Sequence, residues 1–386
     1  MYPRLSDLIN DLFGTNLNLP IQSYGFFLAL AFITGAYLLY LELDRKEKAG
    51  LILPTSKKVI KGEPASLIQL IITFVMSLLV GYKVGGFIID YQIFTEDPQN
   101  YVFSSDGSWL IGVVIALGYT AYFYYTKQKN KLEKPVTEVV SVPAKEQALP
   151  ILFIAVITSI VGAKVFHWFE NWDEFMQDPL GSLVSFSGLT FYGGLIVAYF
   201  SCILYARSKK ISWRNLSDAV APSLILSYGI GRIGCQVAGD GDWGIVNLNP
   251  KPGWLSFIPD WLWAYKYPHN ILNEGERIID CVGTHCYQLV DPVYPTPVYE
   301  TSMAVIIFGI LWSFRKRIKI PGVLFSIYLM FNGIERFLIE KIRVNVQFDF
   351  IGMRVTQAEI ISTCIFLTGL VLLFIFLKSN NRIIKT

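Results

Sequence analysis

Residues 227–244 read SYGIGRIGCQVAGDGDWG, and they place an arginine among glycines at the end of a long apolar run. Residues 229–234 match the G-x-G-x-x-G pattern of dinucleotide-binding proteins. That pattern requires a strand before it and a helix after it, with an acidic residue about 20 positions further on. Here an apolar run precedes the glycines and a polar segment follows them, so we reject the dinucleotide interpretation. The arginine, Arg232, needs another explanation.

The composition indicates the environment of that arginine. Of the 386 residues, 53% are hydrophobic and 16% are charged, whereas soluble domains carry about 25% charged residues. The mean hydropathy is +0.44, and the net charge of +3 gives no support to nucleic-acid binding. We therefore expect a membrane protein. Ionisable groups are unfavourable within a membrane span, so an arginine there is expected to have a function.

Apolar segments of membrane-spanning length recur along the chain. A transmembrane helix needs about 20 mostly apolar residues. The segments that satisfy this are residues 22–41, 66–89, 109–126, 148–169, 188–206, 217–236, 299–314, 321–339 and 358–377. The predicted fold is an all-α polytopic membrane protein with about nine transmembrane helices.

Lysine and arginine alternate between successive loops, and this alternation predicts the orientation. Residues 90–108 and 170–187 contain neither of them, whereas basic residues cluster within 45–61, 127–145, 207–214, 315–319 and 378–385. Cytoplasmic loops collect Lys and Arg, so the second set is predicted to be cytoplasmic. The N-terminus is then outside and the C-terminus inside, as an odd number of spans requires.

The long segment 237–298 is therefore predicted to be extracytoplasmic. Its residues 252–268, PGWLSFIPDWLWAYKYP, are expected to lie along the membrane surface, where Trp and Tyr are favoured. An outside location permits a disulfide between Cys281 and Cys286, and two free thiols remain the alternative. His285 lies between these cysteines, but three such closely spaced ligands rarely form a metal site alone, so no metal is predicted.

The chain contains an internal repeat. VGYKVGGFIIDYQIFTEDP, residues 80–98, aligns without a gap to VGAKVFHWFENWDEFMQDP, residues 161–179, and the offset of 81 residues also pairs Gly112 with Gly193. Each copy covers two predicted spans and the outer loop between them. Both copies begin with an outbound span, so the repeat is a parallel duplication. Repeats are common in transporters, and a transporter remains an alternative function.

The two copies differ at their polar positions. His167 and Tyr192 of the second copy correspond to Gly86 and Ile111 of the first. The first copy is therefore predicted to be a scaffold that lacks the chemistry of the second.

A second set of charged residues ends the eighth predicted span. In FNGIERFLIEKIR, residues 331–343, the side chains of Asn332, Arg336, Glu340 and Arg343 fall at i, i+4, i+8 and i+11, which is one stripe on a helix. Arginines on the outside oppose the usual topology signal. A role in binding or catalysis is a better explanation for them.

All the unusual polar groups are predicted to converge on the outer leaflet. Besides Arg232 and the stripe, they are Tyr24, Lys164, His167, Tyr192 and Glu300. A guanidinium binds a phosphate through two parallel hydrogen bonds, so the set suits an anionic phospholipid head group with acids orienting the arginines. The alternative for Arg232 is a side chain that snorkels to the interface and pairs with Asp240 or Asp242.

Taken together, these motifs resemble the prolipoprotein diacylglyceryl transferase family. GRIGCQVAGDGDWG resembles that family's G-R-I-G-N-x-x-N-G-E signature, and LTFYGGL, YPTPVYE, NGIERFLIEKIR and VGAKVFHWF resemble others of its motifs. The resemblance covers the first span and everything from about residue 148 onward. Without the first repeat copy the chain has seven spans, the number expected for the family.

The resemblance implies the following organisation. Residues 1–45 form the N-terminal segment and first span, and residues 46–147 an inserted two-span repeat copy with cytoplasmic linkers. A three-span catalytic part (148–236), a periplasmic aromatic loop (237–298) and a three-span C-terminal part (299–386) follow.

The family's reaction transfers sn-1,2-diacylglyceryl from phosphatidylglycerol to the lipobox cysteine thiol of a preprolipoprotein, the first step of bacterial lipoprotein maturation. The resemblance implies location in the bacterial inner membrane, an active site facing the periplasmic leaflet, signal peptides as partners and no metal or organic cofactor. By motif position, the resemblance implies that five residues take the family's essential polar roles, namely Arg232, Glu300, Arg336, Glu340 and Arg343. Asp240 takes the place of the signature glutamate and Tyr24 that of an N-terminal tyrosine. Asn332 and Lys164 are added as substrate-binding candidates.

The chain departs from the family pattern at two positions. Tyr192 occupies the place of a histidine that many members have, and Cys235 replaces the signature asparagine. A tyrosine has a pKa near 10 and is a poor base at neutral pH. Either Tyr192 is a phenolate tuned by arginines, or it positions substrate, or His167 moves the proton; we favour positioning. A non-catalytic lipid-binding scaffold and a transporter remain the competing classes.

Overall fold

The computed structural model describes residues 1–91, 101, 104–184, 190–345, 347–350 and 353–383. Its longer helices are α1 (Leu5–Phe13), α2 (Ser23–Lys48), α3 (Leu67–Ile89), α4 (Trp109–Lys129), α5 (Ala148–Glu170), α8 (Phe191–Ser208), α9 (Trp213–Ala238), α10 (Thr296–Phe314), α11 (Val323–Glu340) and α12 (Gln357–Ile383). Two short helices, α6 (Trp172–Gln177) and α7 (Pro179–Val184), lie between α5 and α8. Each of the nine predicted spans overlaps one of these helices in its described residues, and the number of membrane crossings stays a prediction.

Short strands form three two-stranded sheets. β1 (Thr55–Lys61) pairs with β2 (Val136–Val142), β3 (Glu276–Arg277) with β4 (Tyr287–Gln288), and β5 (Gln347–Phe350) with β6 (Met353–Thr356). The β3–β4 and β5–β6 pairs are antiparallel.

Six helices within the described residues are long and apolar enough to cross a membrane, namely α2, α3, α4, α10, α12 and the segment Ala144–Glu170 that contains α5. The prediction of a helical multi-pass membrane protein is therefore confirmed. The other three predicted spans, α8, α9 and α11, are helices of 18, 26 and 18 residues. Helices α9 and α11 carry charged residues within their length, including Asp218, Arg232, Glu335 and Arg336.

The chain divides into two compact units. One contains Met1–Pro3, Ser23–Thr55 and Pro143–Thr386, and the other contains Arg4–Gln22 and Ser56–Val142. The second unit contains α1, the α3–α4 pair and nearly all of the β1–β2 sheet. Its larger segment lies within residues 46–147, which the sequence predicted to be the inserted repeat copy.

The first unit is built around α9, which packs along α2 and α10. Toward the basic ends of the helices, Leu39, Leu43, Ile151, Ala206 and Leu216 belong to one buried cluster. A second buried cluster joins α9 to α10 and α11 through Ile225, Ala304, Ile307, Leu311 and Leu324. Helix α5 packs along α8, and α11 packs along α12. These contacts fix the ends of α9, α10 and α11 relative to one another.

The two repeat copies share a specific geometry. The Lys83 ammonium donates to the carbonyl oxygen of Tyr101 at 2.7 Å, and the Lys164 ammonium donates to that of Ser182 at 3.3 Å. Each lysine therefore ties to a carbonyl 18 residues on. Glycines allow the two helices of each copy to approach closely, since a Cβ on Gly162 would lie 2.6 Å from the Gly193 carbonyl oxygen. The internal duplication is visible in the structure as well as in the sequence.

A buried ion pair joins the helices at the end opposite Arg232. The Lys46 ammonium lies 3.4 Å from the Asp218 carboxylate, and the two side chains are 4% and 5% exposed. Asp218 also accepts backbone hydrogen bonds from Gly322 at 2.8 Å and Phe325 at 2.9 Å, where α11 begins. This carboxylate fixes the depth of α9 against α11.

We expect Asp218→Ala to destabilise the protein by about 3–5 kcal/mol, because it leaves the Lys46 ammonium buried without its counter-charge. Lys48→Ala is the control, since Lys48 pairs with Asp44 but is 77% exposed, and such surface pairs contribute about 1 kcal/mol or less. Denaturant unfolding in detergent micelles measures both. Equal effects of the two substitutions would contradict a structural role for the buried pair.

Candidate functional site

The candidate site forms where the C-terminal ends of α9 and α11 meet the N-terminal end of α10. Arg232 is in the last two turns of α9, Glu300 is in the first two turns of α10, and Glu335 and Arg336 are near the end of α11. Because α9 and α10 run in opposite directions, their functional residues reach the same end of the molecule. The structure brings Arg232, Glu300 and Arg343 together through ion pairs, and their roles and their place at the outer leaflet stay predictions.

Glycines in the opening stretch shape the backbone after α9. Gly239 ends the helix in the left-handed conformation, with φ of 67°, which glycine adopts without penalty. Gly244 forms an isolated bridge with Arg343, and a Cβ at Gly244 would lie 2.4 Å from the Ile342 carbonyl oxygen. The chain from α9 therefore lies directly against the segment that carries Arg343.

Arg232 makes two ion pairs. Its Nη1 donates to a carboxylate oxygen of Asp242, and its Nε lies 2.5 Å from Oε2 of Glu300. The guanidinium also lies over the Tyr228 ring, 5.1 Å from its centroid. The alternative interpretation of Arg232, a pairing with a nearby aspartate, is correct for Asp242. Yet the Arg232 side chain is only 18% exposed, so it does not simply extend into solvent.

Arg343 contacts the same two acids. Its Nη2 donates to the other carboxylate oxygen of Asp242, and its Nη1 lies 3.2 Å from Oε1 of Glu300. Each acid therefore bridges both arginines, and Glu300 is fully buried. We call Arg232, Asp242, Glu300 and Arg343 the arginine pair cluster. Guanidiniums held in this way are preorganised to exchange a carboxylate for a phosphate, which has similar bidentate geometry.

The pKa values of the two aspartates after α9 are shifted in opposite directions. Burial raises the pKa of Asp242, but the Arg232 and Arg343 guanidiniums outweigh it and hold that pKa below its ordinary value. Burial, supported by the neighbouring Asp242 carboxylate, raises the pKa of Asp240 above its ordinary value. Asp242 is thus the charged partner of the arginines. Asp240 was the residue predicted for this site from the family signature, and its Oδ1 accepts from the Asp242 backbone N–H at 3.3 Å.

Arg336 and Glu340 form a second pair on α11. Nη2 of Arg336 lies 3.0 Å from Oε2 of Glu340, whose Oε1 accepts from the Asn345 side chain at 2.6 Å. Asn332 lies one turn earlier on α11 and is half-buried. The predicted stripe is therefore only partly one cluster, because Arg343 lies beyond the end of α11 and turns toward Asp242.

Tyr24 and Tyr192 lie near these charges. Tyr24 is at the start of α2, where Arg232, Asp240 and Asp242 act on its hydroxyl electrostatically. Tyr192 is in the first turn of α8, where Arg336 and Glu340 act on its hydroxyl. Both tyrosines therefore lie at the same end of the helices as the arginines.

His167 and Lys164 have other described partners. Nδ1 of His167 lies 3.0 Å from the Asn171 side-chain nitrogen on the next helical turn. Lys164 binds the Ser182 carbonyl, as the repeat geometry requires. Their predicted roles in proton transfer and substrate binding stay predictions.

Three residues of the site were not among the predicted site residues. Asp242 was considered only as a partner for Arg232, and Tyr228 and Glu335 were not considered. The Tyr228 hydroxyl donates to Oε2 of Glu300 and lies 3.3 Å from Oε1 of Glu335. A signal existed for Tyr228, which precedes Arg232 by four residues and shares its helix face.

Cys235, Asp240 and Asp242 offer ligand atoms within 4.8 Å of one another, a separation that a metal ion could bridge. However, both Asp242 oxygens already accept from arginines. Two guanidiniums at this position oppose a cation and favour an anion. The two guanidiniums beside this group therefore suit a phosphate better than a metal ion.

Residues 109–375 match the family model described as prolipoprotein diacylglyceryl transferase. The chain is similar to the phosphatidylglycerol–prolipoprotein diacylglyceryl transferase of Corynebacterium glutamicum, with 26% identity over 278 residues, 71% of this chain and 78% of the relative. It is also similar to the enzymes of that name from Finegoldia magna, 28% identical over 74% of this chain and 96% of the relative, and Listeria monocytogenes, 31% identical over 52% and 65%.

Proposed function

Since the chain belongs to the prolipoprotein diacylglyceryl transferase family, it is a transferase that moves diacylglyceryl from phosphatidylglycerol to a prolipoprotein, and we propose that the arginine pair cluster is where the transfer occurs. The single observation that supports this site is the pair of arginines bridged twice by acids. Such an arrangement orients fixed positive charge for a phosphate without leaving a buried charge unpaired before substrate binds.

In the proposed mechanism, the phosphate of phosphatidylglycerol replaces carboxylate contacts on Arg232 and Arg343. The thiol sulfur attacks the glyceryl carbon that bears the phosphate ester, so that a C–S bond forms as a C–O bond breaks. Glycerol phosphate leaves with the bonding electrons. The arginines stabilise the negative charge that grows on its oxygen, and such preorganised electrostatic stabilisation is usually the largest catalytic effect. The thiol proton passes to a base or to the departing phosphate.

We propose that the protein lies in the bacterial inner membrane with this site at the outer leaflet. The helix ends opposite the site carry basic residues, including Arg45, Lys46 and Lys48 on α2 and Arg207 on α8, as expected of cytoplasmic ends. Residues 237–298, the segment that includes Asp242, contain a disulfide between Cys281 and Cys286. The alternative of two free thiols is therefore not found in this structure. Structural disulfides are typical of oxidising compartments, so this bond supports an extracytoplasmic location.

A reporter inserted within residues 127–147 is expected to read cytoplasmic, because this loop carries lysines and follows an inbound span. The matched insertion is within residues 278–285, which should read extracytoplasmic. Alkaline phosphatase and fluorescent-protein activities measure the two locations. The opposite pattern would reverse the orientation proposed here.

We propose that the acceptor is the signal peptide of a preprolipoprotein, and that the α3–α4 pair is a scaffold outside the chemistry. Gly86 and Ile111 stand in the first copy where His167 and Tyr192 stand in the second. This difference supports confining the reaction to the second copy and the C-terminal helices.

The function is tested by thiol lipidation in vesicles. Purified protein in phosphatidylglycerol vesicles should convert a lipobox peptide to its diacylglyceryl thioether, detected by mass spectrometry, and release glycerol phosphate. Phosphatidylcholine vesicles are the control. Lipid movement between leaflets without thioether formation would favour the transporter alternative, and binding without either would favour a scaffold.

For Tyr192 we expect a positioning role. Tyr192→Phe should lower the transfer rate less than loss of Arg232 does, Tyr192→His should be tolerated, and His167→Ala should lower the rate modestly. A phenol with a pKa near 10 is a weak base at neutral pH. The pH–rate profile at saturating phosphatidylglycerol measures this, since positioning changes its height but not its inflection. A lost or shifted inflection in Tyr192→Phe would make the phenol the base.

A further inference from the structure

A second buried acid lies behind the arginine pair cluster and has no part in the mechanism above. Glu335 on α11 is 2% exposed, and its Oε1 lies 3.3 Å from the Tyr228 hydroxyl. The same hydroxyl donates to Oε2 of Glu300. One phenolic oxygen therefore contacts two carboxyl groups from different helices.

A count of hydrogens decides the protonation of this group. A tyrosine hydroxyl has one hydrogen to donate and lone pairs to accept. Glu300 receives that hydrogen, and it also accepts from Arg232 at 2.5 Å and Arg343 at 3.2 Å, so Glu300 is the charged acid. In the contact between Tyr228 and Glu335, the hydrogen must then come from Glu335, so the Glu335 carboxyl group is the donor and is protonated.

The other oxygen of Glu335 points to the same conclusion. Oε2 is buried and has no hydrogen-bond partner within the described chain. The charged groups that face Glu335 are Arg232 from α9, Glu300 from α10 and Arg336 from its own helix. Both arginines make their ion pairs with other acids. A charged carboxylate with a bare buried oxygen is strongly unfavourable, whereas a neutral carbonyl oxygen there is tolerated.

We propose that Glu335 works as a neutral carboxylic acid that donates to Tyr228 and thereby positions Glu300 between the two arginines. This assignment rests on the proposed function of the arginine pair cluster. With Glu335 neutral, the charges of Arg232 and Arg343 balance those of Asp242 and Glu300. An ionised Glu335 would add a negative charge and weaken binding of the anionic lipid.

The test compares Glu335→Gln with Glu335→Ala in the full-length protein in phosphatidylglycerol vesicles. An amide still donates to Tyr228, so Glu335→Gln should keep kcat/KM within about threefold of wild type, whereas Glu335→Ala should lower it by about tenfold or more. At alkaline pH the wild-type KM for phosphatidylglycerol should rise as Glu335 ionises, and that of Glu335→Gln should rise less. An equal loss in both variants would mean that the charge is needed, and full activity in Glu335→Ala would remove the positioning role.

A second readout does not depend on transfer. The infrared carbonyl band of a protonated carboxyl should be present in wild-type protein at neutral pH and absent from Glu335→Gln; no difference between them would overturn the assignment. If this band is found but no thioether forms, the proposed function fails and the protonation stands. Should Glu335→Ala not fold, Tyr228→Phe replaces it. In that background the further change Glu335→Gln should have little additional effect, since coupled residues are not additive.

Discussion

Arg232→Ala is expected to abolish diacylglyceryl transfer, with a loss of at least about 10²–10³ in kcat/KM, the effect of removing one charge-stabilising donor. The substitution removes the only described guanidinium that reaches Asp242 and Glu300 from α9. Arg232→Lys should recover part of the activity and no more, because an ammonium keeps the charge but loses the planar fork that binds two phosphate oxygens. Thioether formation in phosphatidylglycerol vesicles measures all three proteins.

Arg277→Ala is the matched control for charge. Arg277 is exposed in β3, so its loss changes the net charge equally without touching the cluster. Unfolding midpoints in detergent should be checked, because Arg232→Ala leaves the buried Glu300 with one fewer partner. Wild-type activity in Arg232→Lys would mean that only the field of the arginine matters.

The second large effect is expected at Asp242. Asp242→Asn removes the charge that bridges Arg232 and Arg343, and breaking such pairs destabilises by about 3 kcal/mol. Transfer should fall with it because neither guanidinium keeps its orientation. Asp240→Asn is the control two residues away, and its effect should be much smaller. The raised pKa of Asp240 indicates that its environment favours the neutral form, which an amide resembles.

The pH dependence follows from the same residue. Because the pKa of Asp242 is lowered in the folded protein, its contribution to folding is present above the unfolded-state pKa and is lost as pH falls through the folded-state value. The wild-type protein should therefore lose stability on acidification more steeply than Asp242→Asn. Parallel acid-unfolding curves for the two proteins would contradict this assignment.

The helices and the arginines could be predicted from the sequence because both can be recognised from local sequence patterns, without knowledge of tertiary contacts. Apolar length identifies the spans, and an arginine in an apolar run is conspicuous. The choice between Asp240 and Asp242 could not be predicted. It depends on the backbone after α9, where the turn at Gly241, with φ of 95°, precedes Asp242, and it is Asp242 that contacts both Arg232 and Arg343.

Glu335 and Tyr228 escaped prediction for a different reason. Each is unremarkable within its own helix, and their meaning appears only when α9, α10 and α11 bring three polar side chains to one point. The predicted role of His167 illustrates the converse. A histidine at a helix end suggested chemistry, its described contact with Asn171 is to a neighbour four residues away, and its role stays a prediction.

Each repeat copy is a helical hairpin closed by its own contact. In each, a lysine donates to a carbonyl oxygen 18 residues later. Lys83 closes the first hairpin on carbonyls of Tyr101, Ser104 and Asp106, so the ammonium is satisfied without help from the rest of the chain. A hairpin of this kind can be acquired by gene duplication and retained without a catalytic role while its other residues are substituted. The lysine contact would then be retained while the candidate site residues were lost, which is the pattern seen when Lys83, Gly86 and Ile111 are compared with Lys164, His167 and Tyr192.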